Sequence, residues 1–207
     1  MKQILAFGDS LTWGSDPHSG GRHPYRDRWP VALGEGLQDA VVFAEGLRGR
    51  TTVHARNSAC VEMRGDAVLP VLLHSHAPLD LAVIMLGTND IYEGHASHLI
   101  RDGLERLVEI IRHHPWRLPE PAAPGILLVA PPPMSPCGDP DITPDKVAQS
   151  EGLASVIEPL AVQLGCGFFD AAGVARASEA DGYHLEAADS RALGEALRAP
   201  AARLLNG

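Results

Sequence analysis

Short apolar runs alternate along the chain with longer segments of mixed polarity, and this pattern predicts strands separated by helices. The runs are continuously apolar, which is typical of strands covered on both faces. Five segments have this character, at residues 4–7, 40–44, 81–86, 126–130 and 168–169. The sequence therefore predicts five buried strands.

Between these runs, apolar side chains recur every three or four residues, as on one face of a helix. One predicted helix begins near residue 29, and four others cover about 67–75, 96–113, 145–164 and 185–205. Alternating strands and helices indicate an α/β fold, a three-layer α/β/α sandwich around a parallel sheet. No repeat or low-complexity segment divides the chain, so we expect one domain over residues 1–207.

Polar residues follow the predicted strands, where each apolar run stops. Ser10 comes after the first strand, Gly49 after the second and Asn89 after the third, while Asp181 and His184 come after the fifth. Ligands of parallel α/β sheets bind beyond the carboxyl ends of the strands. We therefore expect these five residues to meet at one edge of the sheet.

Composition and charge narrow the function classes. The formal net charge of −9 disfavours nucleic acids and anionic membrane surfaces as partners. No apolar run approaches the roughly 18 residues of a membrane span, and the first residues lack the apolar core of a signal peptide. The three cysteines are widely spaced and form no CxxC pair, which predicts reduced thiols in a cytoplasmic protein and no metal site.

The polar residues at the strand ends suit acyl transfer. A serine hydroxyl needs a base within hydrogen-bond reach, and histidine has a suitable pKa when a carboxylate orients it. Asp181 and His184 are three residues apart, so both can project from one turn. Asp170 also ends a strand and is a rival partner, but the spacing favours Asp181.

Such a reaction also needs hydrogen-bond donors directed at the oxyanion. The backbone N–H of Ser10, at a predicted helix start, is one candidate. The unobstructed N–H of Gly49 and the side-chain amide of Asn89 are two others. Taken singly, Gly49 could instead permit only a positive φ, and Asn89 could only brace a turn.

Four sequence blocks resemble, in order, those of the GDSL or SGNH hydrolase family. They are Gly-Asp-Ser-Leu at 8–11, the glycine at 49, Gly-Thr-Asn-Asp at 87–90 and Asp-Gly-Tyr-His at 181–184. The longer segments 7–14, 45–52 and 84–90, with the three prolines at 131–133, are similar to the bacterial arylesterase and acyltransferase branch.

The resemblance implies a flavodoxin-like sandwich and a serine esterase. Ser10 would be the nucleophile, His184 the general base and acid, and Asp181 its orienting carboxylate. The Ser10 and Gly49 N–H groups and the Asn89 amide would form the oxyanion hole. Members of that branch hydrolyse short-chain and aryl esters without cofactor or metal. Some pass the acyl group to an alcohol in place of water, and they tend to form homo-oligomers.

Other function classes are alternatives to this one. The same blocks serve sugar acetates, so a carbohydrate O-acetylesterase is the alternative within the hydrolases. An α/β-hydrolase would require Gly-x-Ser-x-Gly, whereas Thr12 stands two residues after Ser10. A non-catalytic nucleotide-binding or scaffold module is the alternative from another class. The chain has neither Gly-x-Gly-x-x-Gly nor a Walker motif, although Ser10 could still cap a phosphate-binding helix.

A few further residues carry open expectations. We expect Asp9 to bond local backbone at the turn, and Trp13 and Tyr183 either to line an apolar pocket or to pack in the core. One basic stretch stands out in the acidic chain, and it contains Arg22, His23, Arg26 and Arg28. It could bind an anionic substrate, contact a neighbouring subunit or simply be solvated.

Overall fold

A computed structural model describes residues 1–56, 59–116 and 122–206. Its sheet contains five parallel strands in the order β2-β1-β3-β4-β5. They are β1 (Lys2–Gly8), β2 (Ala40–Gly46), β3 (Leu81–Met85), β4 (Gly125–Ala130) and β5 (Gly167–Asp170). The five predicted strands and their parallel arrangement are confirmed.

Eight α-helices and two 3-10 turns connect the strands in the described residues. The helices are α1 (Ser10–Trp13), α2 (Trp29–Glu35), α3 (Gly65–His76), α4 (Thr88–Tyr92), α5 (Ser97–His113), α6 (Pro144–Glu151), α7 (Ala154–Gln163) and α8 (Ala187–Asn206). The 3-10 turns are Tyr25–Asp27 and Ala171–Gly173.

One predicted helix is wrong, because the segment 145–164 forms two helices. The first ends at Glu151 with Gly152 as its C-cap residue, and the second begins at Ala154. Glycine has the lowest helix propensity after proline, so it ends the first helix readily. Pro200, by contrast, lies inside α8 and does not end it.

Two hydrophobic cores lie on opposite faces of the sheet, which makes the fold a three-layer sandwich as predicted. Leu5 and Phe7 of β1 face the core that contains residues of α3, α5 and α7. Their neighbours Ile4 and Ala6 face the core that contains residues of α2 and α8. All four side chains are fully buried. Burial on both faces explains why the strands read as continuous apolar runs.

The register places the carboxyl ends of β1, β2 and β3 level with one another. Gly8 at the end of β1 pairs with Gly46 of β2 and with Met85 of β3. At the opposite edge, the Met1 amino group lies 3.1 Å from Asp39 Oδ2. The residues that follow β1, β2 and β3 are thus brought to one edge of the sheet.

Two observations concern the environment of the protein. Within the described parts of the chain, no helix has both the length and the apolar character of a membrane span. The three cysteines are unpaired thiols, with Cys60 exposed and Cys137 and Cys166 half-buried.

Candidate active site

Ser10 stands at a sharp turn between β1 and α1. Asp9 is the N-cap residue of α1, and its Oδ1 accepts a hydrogen bond from the Leu11 N–H at 2.9 Å. A Cβ on Gly8 would overlap the Thr12 side chain and lie 2.8 Å from the carbonyl oxygen of Met85. Only glycine therefore lets the chain turn here. Ser10 opens the helix and is 7% exposed.

His184 is held by Asp181 in the loop before α8. The His184 Nδ1 lies 2.7 Å from Asp181 Oδ2, and Asp181 Oδ1 accepts the N–H groups of Tyr183 and His184 at 3.1 and 3.0 Å. Burial opposes ionisation of Asp181, but these bonds outweigh it and lower its pKa. The ring is thereby fixed with Nδ1 as donor and Nε2 free as acceptor. Asp170 instead accepts from the Ala172 N–H.

Three potential hydrogen-bond donors for an oxyanion lie at this edge of the sheet, and one of them is the N–H of Ser10 itself. The backbone N–H groups of Ser10 and Gly49 donate to no protein acceptor among the described residues. Gly49 adopts a positive φ of 83° in the turn after β2. The Asn89 Nδ2 lies 3.2 Å from Asp9 Oδ2 and 3.1 Å from the carbonyl oxygen of Arg50, so both amide hydrogens have partners.

The predicted hydrogen bond between Asp9 and the local backbone is confirmed. Asp9 also has a second contact. Its other oxygen orients the Asn89 amide. Burial raises the pKa of Asp9 to about 6, opposed by the Leu11 N–H and then by the charges of His184 and Arg50. At neutral pH the carboxylate form therefore predominates and can accept the amide hydrogen.

Arg50 ties β1 to the edge strand β2 and was not singled out from the sequence. Its Nη1 donates to the Gly8 carbonyl oxygen at 2.8 Å and to the carbonyl oxygen of Glu45. The guanidinium lies 4.1 Å from the centroid of the Phe7 ring. Burial lowers the pKa of Arg50 to about 10, opposed by Glu45 and Asp9, so the group remains charged at neutral pH.

Arg56 is a second residue that the sequence did not reveal. Its Nη1 lies 3.4 Å from the carbonyl oxygen of Gly49 and 3.3 Å from Asn89 Oδ1. Its Nη2 pairs with Glu93 Oε1 at 2.6 Å. Arg56 therefore fixes which way the Asn89 amide faces. No local pattern signals this role, because the contact joins a loop residue to α4, 33 positions away.

A cavity of about 520 Å³ lies above these residues. Its wall includes four residues that the sequence placed together, namely Ser10, Gly49, Asn89 and His184. The wall is completed by four residues of the segment between β2 and α3, by the first residue of α4 and by two tyrosines, which are Leu47, Arg48, Arg56, Met63, Thr88, Tyr92 and Tyr183. The volume suits a small-molecule ligand.

Tyr183 and Trp13, each expected either to line a pocket or to pack in the core, have different positions. Tyr183 lines the cavity, as one alternative predicted. Trp13 does not line it, and the guanidinium carbons of Arg22 and Arg48 lie 4.8 and 5.2 Å from the centroid of its ring.

Ser10 and His184 share the cavity wall without a hydrogen bond between them. Among the hydrogen bonds of the described residues, none joins the Ser10 hydroxyl to the His184 ring. Catalytic hydrogen bonds are often long before substrate binds and shorten in the reactive complex. A serine at a tight turn and a histidine on a loop can close such a gap by side-chain rotation.

The basic stretch that the sequence analysis singled out lies away from the cavity. Arg22, Arg26 and Arg28 line a separate groove beside β2. His23 is buried and its Nε2 donates to the carbonyl oxygen of Leu185 at 2.9 Å. In residues 1–56, 59–116 and 122–206, no three His, Cys, Asp or Glu side chains are arranged to hold a metal ion.

The chain is similar to one known family and to several solved structures. The model of the GDSL-like lipase/acylhydrolase family matches residues 6–192. A carbohydrate acetylesterase family member from Sinorhizobium meliloti is 42% identical, with both chains covered fully and a TM-score of 0.96. An aryl esterase from M. smegmatis is 35% identical over 99% of this chain and 100% of its own, with a TM-score of 0.91. A comparison with curated proteins found no match.

These similarities define the protein as a carboxylic ester hydrolase. The chain belongs to the GDSL-like lipase/acylhydrolase family, since the family model covers nearly all of it. The expected resemblance is thereby confirmed.

Proposed function

We propose that the protein hydrolyses short-chain acyl and aryl esters through an acyl-enzyme formed on Ser10. One observation carries this proposal. Ser10, His184, Gly49 and Asn89 line one small cavity, while Asp181 holds the His184 ring from behind at 2.7 Å. This is the set of groups that acyl transfer to a serine requires.

In the first half of the reaction, the Ser10 oxygen attacks the ester carbonyl carbon while His184 Nε2 takes the hydroxyl proton. Asp181 holds the Nδ1–H and stabilises the imidazolium that forms. The tetrahedral intermediate then collapses, the bond to the leaving oxygen breaks, and His184 returns the proton to the departing alcohol. Ser10 remains acylated.

The negative charge on the carbonyl oxygen would be stabilised by three donors. The unbonded N–H groups of Ser10 and Gly49 are ready to donate. The Asn89 amide must share a hydrogen that it now gives to Asp9 or to the Arg50 carbonyl, and both contacts are long enough to be shared. Arg56 keeps the amide nitrogen on the side of Asp9 and Arg50.

In the second half, water attacks the acyl-enzyme with His184 as general base. An alcohol can replace water, and acyl transfer is part of the proposal. The apolar parts of Leu47, Met63 and Tyr183 on the wall support it, because they favour an alcohol over water near Ser10. Product ratios in the presence of a primary alcohol test this step.

The carbohydrate O-acetylesterase alternative is retained as a second candidate. Two carbohydrate acetylesterases from Sinorhizobium meliloti, 42% and 35% identical to the chain, favour it. Both candidates use the same acyl-enzyme and differ only in the alcohol part of the ester. The nucleotide-binding alternative has no such support.

A cytoplasmic location and a homo-oligomeric state complete the proposal. The three unpaired thiols support a reducing compartment. The resemblance to the arylesterase branch supports the oligomer. Cell fractionation tests the location, and light scattering after size exclusion tests the oligomeric state.

The proposed function is tested with a panel of aryl and sugar acetates. Ser10→Ala should lower kcat/KM by about 10⁴-fold or more, as removal of a triad member does. Intact-mass measurement should detect an acyl adduct on the parent protein and none on this variant. Ser75→Ala, an exposed serine on α3, is the matched control and should keep full activity. Full activity of Ser10→Ala would refute the proposal.

A further inference from the structure

The wall of the cavity carries two arginines and no carboxylate. Arg48 and Arg56 both line it, together with His184. The charge of Arg56 is matched by Glu93 at 2.6 Å. Arg48 has no such partner, since no salt bridge among the described residues includes it. Arg48 is therefore a cavity residue whose charge no described carboxylate balances.

Arg48 lines the same cavity as Ser10 and His184. It directly precedes Gly49, a proposed oxyanion donor, and its guanidinium carbon lies 5.2 Å from the centroid of the Trp13 ring at the end of α1. The positive charge of Arg48 also acts on Tyr183: burial raises the pKa of this tyrosine, and Arg48 opposes part of that rise. The guanidinium thus packs beside the helix that begins with Ser10, and its charge acts on a residue of the loop that carries His184.

For an anion inside the cavity, the charges on the cavity wall matter more than the net charge of the molecule. The formal net charge of −9 would repel an anion at long range. At physiological ionic strength, charges are screened over about 8 Å, so an anion inside the cavity is governed mainly by the groups on its wall. A guanidinium is suited to a carboxylate because its planar N–H groups can bind both oxygens.

We propose that the preferred substrates are esters that carry a carboxylate, and that Arg48 binds this carboxylate while Ser10 attacks the ester. Arg48 is then a specificity-determining residue. The proposal rests on the esterase function proposed above and adds the substrate class. The carboxylate can belong to the acyl group or to the leaving group of the ester. The experiment below distinguishes these two positions.

Two pairs of esters test this, and each pair differs only in methylation of the carboxylate. In the first pair, para-acetoxybenzoate and its methyl ester, the charge is on the leaving group. In the second, para-nitrophenyl hydrogen glutarate and its methyl ester, the charge is on the acyl group. The readout is phenol release after subtraction of the uncatalysed rate, and the quantity compared is the ratio of kcat/KM between the charged and the neutral ester.

Arg48→Met should lower this ratio on the order of tenfold for at least one pair. Loss of a hydrogen bond to a charged group lowers a binding constant by roughly ten- to a hundredfold. Arg48 is exposed to solvent, which favours the lower figure. Arg48→Lys should keep part of the preference because it keeps the charge. For the parent protein, a rise in salt from about 0.1 M to about 1 M should raise KM for the charged ester only, because screening then acts over about 3 Å.

Two arginine variants serve as controls. Arg203→Met changes an exposed residue of α8 and should leave both esters of each pair unaffected. Arg56→Met removes a cavity arginine whose charge Glu93 already matches, so it should slow both esters of a pair by similar factors.

The outcomes are distinct. Equal ratios for the parent protein and Arg48→Met, or equal losses for both esters of each pair, would overturn the inference and leave Arg48 a packing partner of Trp13. If Arg48→Met does not fold, the Arg48→Lys ratio and the salt dependence decide. Neutral esters that are not turned over, with no adduct on Ser10, would instead refute the esterase function itself.

Discussion

Replacement of Asp9 by asparagine should change the pH dependence of stability in a defined direction. Asp9 is 1% exposed, and burial raises its pKa from the ordinary value of 3.8 to about 6. Its native-state pKa lies above its unfolded-state pKa, so the native protein binds more protons in this interval. The contribution of Asp9 to stability is therefore fully present below about pH 4 and is lost as the pH rises through about 6.

The size of the effect follows from the pKa values. A rise from 3.8 to about 6 corresponds to about 3 kcal/mol, at roughly 1.4 kcal/mol per factor of ten. An asparagine in this place would carry no charge, and its side-chain oxygen could still accept from the Leu11 N–H as an N-cap. The free energy of unfolding of Asp9→Asn, relative to the parent protein, should therefore increase by about 3 kcal/mol between pH 3 and pH 8.

The same change should reduce activity. The new amide would present N–H groups to the Asn89 Nδ2, where a carboxylate oxygen now accepts at 3.2 Å. Two donors would then face each other, and the Asn89 amide would turn away from the oxyanion. We expect kcat to fall by about 10²-fold, near the cost of one oxyanion donor.

The assay is urea unfolding followed by circular dichroism at several pH values. Asp16→Asn is the control, since Asp16 is a partly exposed carboxylate whose pKa is lowered by hydrogen bonds from the Ser19 hydroxyl and the His18 N–H. Its stability contribution is present at neutral pH and is lost on acidification, so its removal should change the pH dependence in the opposite direction. A difference between Asp9→Asn and the parent protein that does not vary with pH would refute the reasoning.

Three other substitutions test the site and the fold. Asn89→Ala should lower kcat by about 10²–10³-fold with a smaller change in KM, since it removes one oxyanion donor; steady-state kinetics on an aryl acetate would contradict this if kcat were unchanged. Asp181→Asn should lower kcat by about 10⁴-fold through the wrong tautomer of His184, and a loss below tenfold would argue against an orienting role. Gly46→Ala should destabilise the protein by about 1–3 kcal/mol in urea unfolding, because its Cβ would overlap the Trp13 backbone nitrogen; an unchanged midpoint would contradict it.

The fold was predictable because burial on both faces leaves a clear signature. The strands around Ile4 and Val83 read as unbroken apolar runs, and the turn residues that follow them mark where they end. The edge of the candidate site followed from the same signature, since parallel strands place their carboxyl ends together. The division of the 145–164 segment was missed because the helical period continues through Gly152, and one weak helix former decided where α6 ended.

The contacts that orient the candidate site were not predictable in this way. Arg56 reaches Asn89 across 33 positions of the chain, and Arg50 reaches Gly8 across 42. Neither pair shares an element or a spacing, so no periodicity reports it. Such contacts depend on how the segment between β2 and α3 comes to lie against β1 and α4 after the sheet has formed, which a local pattern does not encode.

The position of the Met1 amino group has a practical consequence. It lies beside Asp39 at the amino edge of the sheet, while Ser10 opens beyond the far end of the seven-residue strand β1. At about 3.3 Å per residue, the two edges are separated by roughly 20 Å. A reporter or an immobilisation linker attached through this amino group would therefore leave the mouth of the cavity open to bulky esters.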